Sequence, residues 1–556
     1  MSYLRRKFRY ICLVIIALWF GDTAQAESAV ASAHPAATLA GKEILEAGGN
    51  AFDAAIAVAA ALAVVEPYSS GIGGGGFFLL HSQREGTNLF VDAREEAPGK
   101  ATADMYLDSS GDFVRDRSLN GPLAAAIPGL PAGLVYLSEN FANLTLQENL
   151  MPAIRLAKEG FLTGDRYEKM AGYRASALRL HKDAAKIFLD QGDVPKAGFR
   201  VIQEDLAETL QAIAVSNGES FYSGDLARKM VDSVVSKGGI WRIEDLKNYE
   251  VKIRQPLVSS YHDVKIISSP PPSSGGIVLI EALNILERYD LKKYERDTYI
   301  HLVVEAMRRA YRDRADYLGD PDFVKVPLKK LSSKMHADLL ASSISDTEAT
   351  SSSSLPQIGS RQKGADTTHF SIVDGLGNRV AATLSINIPF GAAITAEGTG
   401  VLLNNEMDDF SAKPFTPNTY GLVGADANAI APRKRPLSSM TPTFLEGTDR
   451  IAVMGTPGGS RIISMVLISA LDFMMGAGPI EMVSSKRFHH QYLPDQIYFE
   501  KDGLTSSEQE SLSKKGHKLK ESGRNYGNMQ VIVIDKADGS VGAASDPRGE
   551  GSSLVW

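Results

Sequence analysis

The sequence contains a single cysteine, Cys12, and it lies in a segment that we expect to be removed. Without it the chain can form no disulfide, has no thiol nucleophile and offers no cysteine ligand to a metal. The 556 residues are enough for a large core, so packing alone can stabilise the fold in an oxidising compartment. The chain also lacks an excess of positive charge, because 59 basic residues face 66 acidic ones and the formal charge is −7. This balance predicts no nucleic-acid partner.

Hydrophobic runs long enough to cross a membrane are absent, because a spanning helix needs about 20 apolar residues. The run Tyr10 to Phe20 is shorter; it follows the basic residues Arg5-Arg6-Lys7 and Arg9 and precedes Ala24-Gln25-Ala26. This arrangement predicts a signal peptide over residues 1–26 and secretion to the periplasm. The stretch from Arg5 to Phe8 partly matches a twin-arginine signal, but the very apolar run favours ordinary secretion. The leader holds four basic residues and one acidic residue, so the mature formal charge would be −10.

The first two-thirds of the chain predict mainly helices. Residues 31–65 have the pattern of two helices broken at Gly48-Gly49-Asn50, and the second is rich enough in alanine to be buried. An apolar strand, Phe77 to Leu80, follows a run of glycines. Residues 120–340 are mostly amphipathic, and Thr298 to Tyr317 is the longest predicted helix.

The pattern changes at residue 367. Before it lies a Ser-rich segment, residues 341–365, with few side chains that could pack, and we expect residues 341–366 to become a mobile tail if the chain is cut after Asp366. After it, strand-like runs alternate with turn signals, of which Asp374 to Asn378 is typical of a hairpin loop. The predicted strands are 368–373, 379–388, 400–404, 450–455 and 530–534. Helices combined with these strands predict an α+β fold in which helices are layered on antiparallel sheets.

Thr367 stands at this change of pattern, directly after Asp366. A cut between the two residues would give Thr367 a free α-amine beside its hydroxyl, so that one residue holds both a nucleophile and a base. The alternative is an ordinary strand threonine. Polar and glycine clusters near Ser385, Asn404 and Pro436 favour the catalytic hypothesis, since each adjoins a strand-like run and a rigid sheet would present them at one edge.

Other motifs give weaker signals. The run Gly71 to Gly76 formally matches G-x-G-x-x-G, but a dinucleotide site needs a strand before the glycines and a helix after them. Here the order is reversed, which favours a structural turn or a close backbone approach. His369 and the pair His489-His490 lack metal-ligand spacing, so packed or hydrogen-bonded histidines are the better interpretation. No G-x-S-x-G nucleophile elbow is present, and the S-x-x-K at residues 511–514 lies in a polar stretch.

A series of motifs in fixed order resembles the γ-glutamyltranspeptidase family, also called glutathione hydrolases. The series covers almost the whole chain after the leader and comprises SSGIGGGGFFLL, DAREEAPGKATADMYLD, TTHF, NNEMDDFSAKP, YGLVGADANAI, KRPLSSMTP, PGGSR, RFHHQYLPD and ASDPR. The resemblance implies an N-terminal nucleophile hydrolase fold, which is a four-layer αββα sandwich. It also implies a precursor that cuts itself between Asp366 and Thr367. The products would be a large subunit, residues 27–366, and a small catalytic subunit, residues 367–556, interwoven in one domain.

The resemblance also implies catalytic roles. Thr367 would be the nucleophile. Ser385, which stands where many relatives have threonine, would support it through a hydrogen bond. The backbone amides of Gly458 and Gly459 would form the oxyanion hole.

Further residues would bind a γ-glutamyl substrate, according to the same resemblance. Its α-carboxylate would lie against Arg94, Ser438 and Ser439. Its α-ammonium would lie against Asn387, Glu406 and Asp409, although some bacterial members have glutamine in place of Glu406. Tyr420 would belong to a lid formed by residues 410–428.

The implied activity is cleavage of the γ-glutamyl amide bond of glutathione and related compounds through an ester on Thr367. The acyl group would pass to water or to amino-acid and dipeptide acceptors, and no cofactor or metal is implied. One alternative is an acylase of the same fold that removes glutaryl side chains from β-lactams; those groups lack the α-ammonium that Asp409 and Glu406 would bind. Another is a periplasmic solute-binding protein, which would need two lobes and no cleavage.

Overall fold

The computed structural model describes residues 27–355, 367–413, 418–419, 422, 424 and 426–556. The predicted leader, residues 1–26, lies outside the described residues, as do Asp366 on the predicted cleavage bond and Tyr420 in the predicted lid.

A first sheet of seven antiparallel strands contains the strand that directly follows the predicted nucleophile. Its central strands are Thr368–Val373 and Arg379–Ser385, joined by the hairpin predicted at residues 374–378. In order across the sheet the strands are Ser552–Val555, Ala29–Ser32, Thr368–Val373, Arg379–Ser385, Gly75–Ser82, Thr87–Ala93 and Lys252–Arg254.

A second sheet of six antiparallel strands faces the first. In order across the sheet, these strands are Val541–Ser545, Gln530–Asp535, Arg450–Gly455, Thr443–Glu446, Val264–Ser268 and Leu257–Tyr261. Short strands elsewhere are Phe161–Leu162, Arg200–Val201, Thr395–Ala396, Val401–Leu402, Phe488–His489, Ile497–Phe499 and Leu519–Glu521.

Alternate residues of the first sheet belong to two different cores, as the two-residue period of a strand requires. Phe78 and Leu80 face a core shared with one layer of helices. Phe77 and Leu79 face the second sheet and a core that continues into a further helical layer. Helix, sheet, sheet and helix therefore follow one another, which is the predicted αββα order.

Helices form the two outer layers. Against the first sheet lie Pro35–Glu46, Ala51–Val65, Leu130–Asn140, Leu146–Glu159, Asp165–Arg179, Glu204–Ser216 and Asp225–Ser236. Against the second lie Gly275–Leu286, Arg296–Tyr317, Lys334–Ala341, Ile462–Met474 and Ser506–Lys514. The shorter helices are Arg115–Leu119, Lys182–Phe188, Glu219–Tyr222, Ile243–Lys247, Leu328–Leu331 and Pro479–Ser484. Among the described residues, no helix combines the length and apolar character needed to cross a bilayer.

The alanine-rich helix predicted near the N-terminus is Ala51–Val65, and all fifteen of its residues are buried. Asn50 begins it with a capping box, since its side chain accepts from the Phe52 and Asp53 amides while the Asp53 carboxylate accepts from the Asn50 amide. The break predicted at residues 48–50 is therefore correct.

The predicted strands 368–373 and 450–455 are confirmed residue for residue. The strand predicted at 379–388 ends at Ser385, because Asn387 has a positive φ of 76° and turns the chain out of the sheet. The strand predicted at 400–404 is only Val401–Leu402. The mostly helical prediction for residues 120–340 overlooked five strands, Phe161–Leu162, Arg200–Val201, Lys252–Arg254, Leu257–Tyr261 and Val264–Ser268.

Candidate active site

Thr367 immediately precedes a central strand of the first sheet, and only 3% of it is exposed. The neighbouring strand pairs Leu384 with Thr368 in antiparallel register. Continuing that register by one residue sets Ser385 beside Thr367 at the same sheet edge. The sheet therefore supplies two hydroxyl groups at this edge.

A small cavity lies at this edge and brings together residues distant in the sequence. Its lining comprises Arg94, Thr367, Ser385, Asp409, Leu422, Leu437, Ser438, Ser439, Met440, Gly459 and Ile462. Seven of these eleven were predicted as site residues from the sequence. The cavity measures about 20 Å³, enough for about one water molecule.

Arg94 is the electrostatic centre of the site. Its guanidinium lies 2.7 Å from a carboxylate oxygen of Glu406 and 2.6 Å from one of Asp409. Glu95 is 3.4 Å away, and Arg94 Nε donates to the Pro436 carbonyl at 3.3 Å. Arg94, Glu95 and Glu406 are at most 1% exposed. The residues predicted to bind opposite ends of a substrate thus pair with one another in this chain.

The crowding of acids around one arginine shifts their proton affinities. Burial raises the pKa of Glu95 to about 7, opposed by Arg94. Burial likewise raises the pKa of Glu406 well above its ordinary value, again opposed by Arg94. Burial works against the charged form of Arg94, but Glu406, Glu95 and Asp409 together raise the pKa of its guanidinium. Arg94 therefore stays protonated, and its one positive charge is shared among the surrounding carboxyl groups.

Ser438 and Ser439 line the cavity from the loop that precedes the strand Thr443–Glu446. A second buried arginine, Arg314 on the helix Arg296–Tyr317, approaches them: its guanidinium donates to Ser439 Oγ at 3.4 Å and to Ser274 Oγ at 2.9 Å. Burial lowers the pKa of Arg314 to about 10. Sequence reasoning missed Arg314 and Glu95. Glu95 had a signal in its position next to Arg94, whereas Arg314 had none beyond its place in a helical pattern.

Gly458 and Gly459 follow the strand Arg450–Gly455, and Gly459 lines the cavity. Their φ angles are +145° and +56°, and a Cβ at Gly458 would stand 2.6 Å from the Met465 methyl carbon. These conformations require glycine at Gly458 and favour it at Gly459. Within the described residues, neither amide donates a backbone hydrogen bond outside the helices and strands. The segment is thus shaped to offer amide donors.

Asn387 and Glu406 support the cavity without lining it. The Asn387 amide donates to Ser385 Oγ at 2.8 Å, and the Asn387 side chain donates to the Asn405 carbonyl at 2.8 Å. From the predicted lid, the Asn418 amide group donates to Asp409 at 3.2 Å.

The remaining motifs are structural. The glycines at 73–75 approach other backbone closely: a Cβ at Gly73 would stand 2.1 Å from the Leu402 carbonyl oxygen, and one at Gly74 would stand 2.2 Å from that of Ser385. Burial lowers the pKa of His369 to about 3, and its ring is hydrogen-bonded to Thr383 at 2.8 Å. The predictions of a structural turn and of packed histidines are confirmed, while a close approach of these glycines to a substrate stays a prediction.

The segment before the predicted cut is better anchored than its composition suggests. We expected residues 341–366 to be a mobile tail, yet Ser352 is fully buried. Its hydroxyl donates to the Tyr492 carbonyl at 2.7 Å and accepts from Arg308 at 2.6 Å, and its amide donates to Asp495 at 2.8 Å. In the uncut chain this segment is therefore anchored at Ser352, and its mobility after the cut stays a prediction.

Comparison with known proteins identifies a matching family model and similar proteins. A family model described as Gamma-glutamyltranspeptidase matches residues 37–556. The glutathione hydrolase proenzyme of Escherichia coli (strain K12) is 42% identical over 529 residues, which cover 93% of this chain and 90% of that protein. The acylase ACY 1 proenzyme of Pseudomonas sp. (strain V22) is 36% identical over 539 residues, covering 95% and 93%.

A solved structure agrees with the architecture. The cephalosporin acylase from Bacillus halodurans superposes with a TM-score of 0.84 at 27% identity, over 96% of each chain. The family model, the identity to the curated relatives and the shared architecture lead to one assignment. This chain belongs to the γ-glutamyltranspeptidase family, with the predicted N-terminal nucleophile hydrolase fold.

Proposed function

We propose that this protein is a self-cleaving γ-glutamyl hydrolase and transferase that acts on glutathione and related compounds. The observation that carries the proposal is the cavity in which Thr367 and Gly459 meet the ion pair of Arg94 and Asp409. The α-carbon of a γ-glutamyl group bears a carboxylate and an ammonium, which complement this pair. The substrate carboxylate would bind Arg94 with Ser438 and Ser439, and its ammonium would bind Asp409. The relatives named glutathione hydrolase proenzymes support the same substrate class.

Activation would begin at the bond between Asp366 and Thr367. The Thr367 hydroxyl attacks the Asp366 carbonyl carbon, the peptide C–N bond breaks, and the nitrogen takes up the hydroxyl proton to become the new α-amine. Water then hydrolyses the resulting ester and frees the hydroxyl. A terminal amine has an ordinary pKa of about 7.7–8.0, so it can act as a base near neutral pH, whereas an amide nitrogen cannot. The uncut chain should therefore be inactive.

Turnover would use the same two groups. The Thr367 amine takes the hydroxyl proton as the oxygen attacks the γ-carbonyl carbon, and the amides of Gly458 and Gly459 stabilise the oxyanion. Collapse breaks the C–N bond and returns the proton to the leaving amine, which is cysteinylglycine when glutathione is the substrate. Water, or the amine of an amino acid or dipeptide, then attacks the γ-glutamyl ester. Ser385 supports Thr367, while Asn387 and Glu406 hold the ammonium side of the pocket.

The proposal includes the cellular setting. The leader at residues 1–26 would direct the precursor to the periplasm, where the two chains remain together as a heterodimer. The lid, with Tyr420, would close over the bound γ-glutamyl group and exclude water.

A second candidate substrate class comes from the acylase relatives. The ACY 1 proenzyme and the cephalosporin acylase are similar over nearly the full chain. Glutaryl groups carry the distal carboxylate but no ammonium, so they would leave Asp409 without its partner. Equal kcat/KM on glutaryl and γ-glutamyl anilides would favour the acylase reading over ours.

Intact mass spectrometry of the secreted protein tests the proposal directly. Two chains are expected, the shorter beginning at Thr367, together with turnover of γ-glutamyl anilide. Thr367→Ala should yield one uncut, inactive chain, and the matched variant Thr367→Ser, which keeps the hydroxyl, should still cut. Cleavage of Thr367→Ala at the same bond would rule out self-processing, and an uncut wild-type protein that binds a solute would support the binding-protein alternative.

A further inference from the structure

A second and much larger cavity opens next to the glycine loop. This cleft measures about 770 Å³ and is lined in part by Pro457, Gly458, Ser460 and Arg461. Gly459, the adjacent residue, lines the cavity of Thr367 instead. A carbonyl group held by the two glycine amides would thus have a cavity on each side. The acyl portion would occupy the smaller one, and the amine portion would extend toward the cleft.

Arg461 is the unusual residue of this cleft. Its guanidinium lies 4.5 Å from the ring centre of Tyr526 and 5.8 Å from that of Tyr498. Among the described residues, no carboxylate forms an ion pair with it. Burial, and then the nearby Arg524, lower its pKa. Stacking on the rings orients the guanidinium but leaves its N–H edge without a carboxylate partner among the described residues, and a half-buried charge without an anionic partner loses solvation without compensation.

Two other arginines that line the cleft differ in whether they have a carboxylate partner. Arg548 also lines it, but its guanidinium is held by Glu500 at 2.8 Å and by Asp546 at 3.1 Å. Arg524 lines the cleft, is exposed and, like Arg461, has no carboxylate partner in the described part of the chain. Within the described residues, the cleft therefore presents two guanidinium groups without a carboxylate partner, one half-buried beside the glycine loop and one exposed to solvent.

We infer that Arg461, assisted by Arg524, binds the carboxylate of the amine component of the reaction. That component is the peptide or amino acid released from the γ-glutamyl group in the first half-reaction, or accepted in the second. Such molecules end in a planar carboxylate, which a guanidinium edge binds with two parallel hydrogen bonds. The inference rests on the proposed function and adds to it a recognition site on the leaving-group side.

The test compares two substrates that differ only at this carboxylate: glutathione, and glutathione whose C-terminal carboxylate is replaced by a carboxamide. The wild-type protein should prefer the acid by about tenfold to a hundredfold in kcat/KM, the range of a charge-assisted hydrogen bond. In Arg461→Gln the preference should fall to within about twofold, and Arg461→Lys should retain an intermediate preference. Glycylglycine and its amide, used as acceptors, should show the same pattern.

Two further variants provide a control outside the cleft and a second test of the carboxylate site. Lys229→Gln removes an exposed positive charge from the helix Asp225–Ser236, outside the cleft, and should keep the wild-type preference. Arg524→Gln alters an exposed side chain and should weaken the preference severalfold even if Arg461→Gln fails to fold.

An equal rate of the wild type on acid and amide, or an unchanged preference in both arginine variants, would overturn the inference. Equal loss on both substrates in Arg461→Gln, with no change in Arg524→Gln, would do the same, since it shows only a structural role for Arg461. Failure of the wild-type protein to cleave any γ-glutamyl substrate would instead refute the proposed function, and the inference with it.

Discussion

Arg94 is surrounded by more negative charge than it can neutralise. Three carboxylates and a carbonyl oxygen share one buried guanidinium. Breaking a buried pair by removing one partner is strongly destabilising, because a charge is left without compensation. The residue that we assign to substrate binding is therefore also part of the stability of the site.

Arg94→Lys should reduce stability as well as substrate affinity. An ammonium group cannot satisfy Glu406 and Asp409 with two parallel hydrogen bonds, so we expect a loss of about 3 kcal/mol or more in the free energy of unfolding. Urea denaturation measures it, ideally in the uncut Thr367→Ala background, where the chain is single. Arg155→Lys, which alters a half-exposed pair with Glu43, is the matched control and should change stability by less than about 1 kcal/mol. Equal effects in the two variants would contradict this account.

Asp408 predicts a pH dependence of stability. Burial raises its pKa to about 7, while hydrogen bonds from Ser118 and Thr419 lower it less. The unfolded value is about 3.9, so the folded protein binds the extra proton between pH 4 and 7 and this contribution to stability falls as pH rises. The fall is at most about 4 kcal/mol for a shift of this size.

Asp408→Asn should flatten that dependence. An asparagine amide can donate to Ser118 Oγ while its oxygen accepts from the Thr419 amide, so the contacts of the neutral acid are preserved. Unfolding free energies at pH 5 and 7.5, compared with the parent, provide the measurement. Glu95 and Glu406 titrate in both proteins and cancel in the difference. An unchanged slope would mean that Asp408 is ionised in the folded chain.

Among the elements, the segment before the cut is anchored at residues 350–352. Ser352 is held by Arg308, Asp495 and the Tyr492 carbonyl, and the Thr350 amide donates to Glu305 at 3.1 Å. Asp495 and Tyr492 lie in the part of the chain that follows the cut. These contacts should survive cleavage.

Limited proteolysis of the mature protein should therefore trim the large chain back to about residue 355 and no further. Intact mass after brief protease treatment gives the end point. Ser352→Ala removes the hydroxyl from two buried hydrogen bonds and should allow trimming to proceed deeper. Removal of the whole stretch from residue 341 in the wild-type protein would show instead that the anchor is lost on cleavage.

Individual elements differed in how far the sequence predicted them. The strands 368–373 and 450–455 were predictable because β-branched and aromatic residues are bounded by polar turns. Leu257–Tyr261 was missed because it lies at the sheet edge and alternates exposed residues within a largely helical region. Arg314 and Arg461 could not be assigned, since their significance depends on what surrounds them in space. Only the motif order linked Arg94 to Asp409, which is 315 residues away in the chain.

At the scale of the whole molecule, both sheets contain strands from before and after residue 367, and in the first sheet these strands interleave. Ala29–Ser32 lies between Ser552–Val555 and Thr368–Val373, and Thr443–Glu446 lies between Arg450–Gly455 and Val264–Ser268. Separating the two chains would break a central strand pairing in each sheet and open the shared core.

The mature chains should consequently dissociate only when they unfold. Native mass spectrometry should give one species containing chains of about 37 and about 20 kDa, in proportion to the 59.9 kDa of the full chain. In a urea series, loss of the native complex and loss of ellipticity should share one midpoint. Separation of folded chains at a lower urea concentration would contradict the interleaved arrangement.

The pairing of Ala29–Ser32 with Ser552–Val555 has one more consequence. It brings the ends of the described chain together, since Ser28 and Trp556 exchange backbone hydrogen bonds of 2.9 and 3.1 Å. A short linker could therefore join residue 556 to residue 27, and the reading frame could start at Thr367 instead. After removal of the initiator methionine, such a circular permutant would carry the free α-amine of Thr367, the proposed base, from synthesis onward. It would be an enzyme of this family that needs no autoproteolysis.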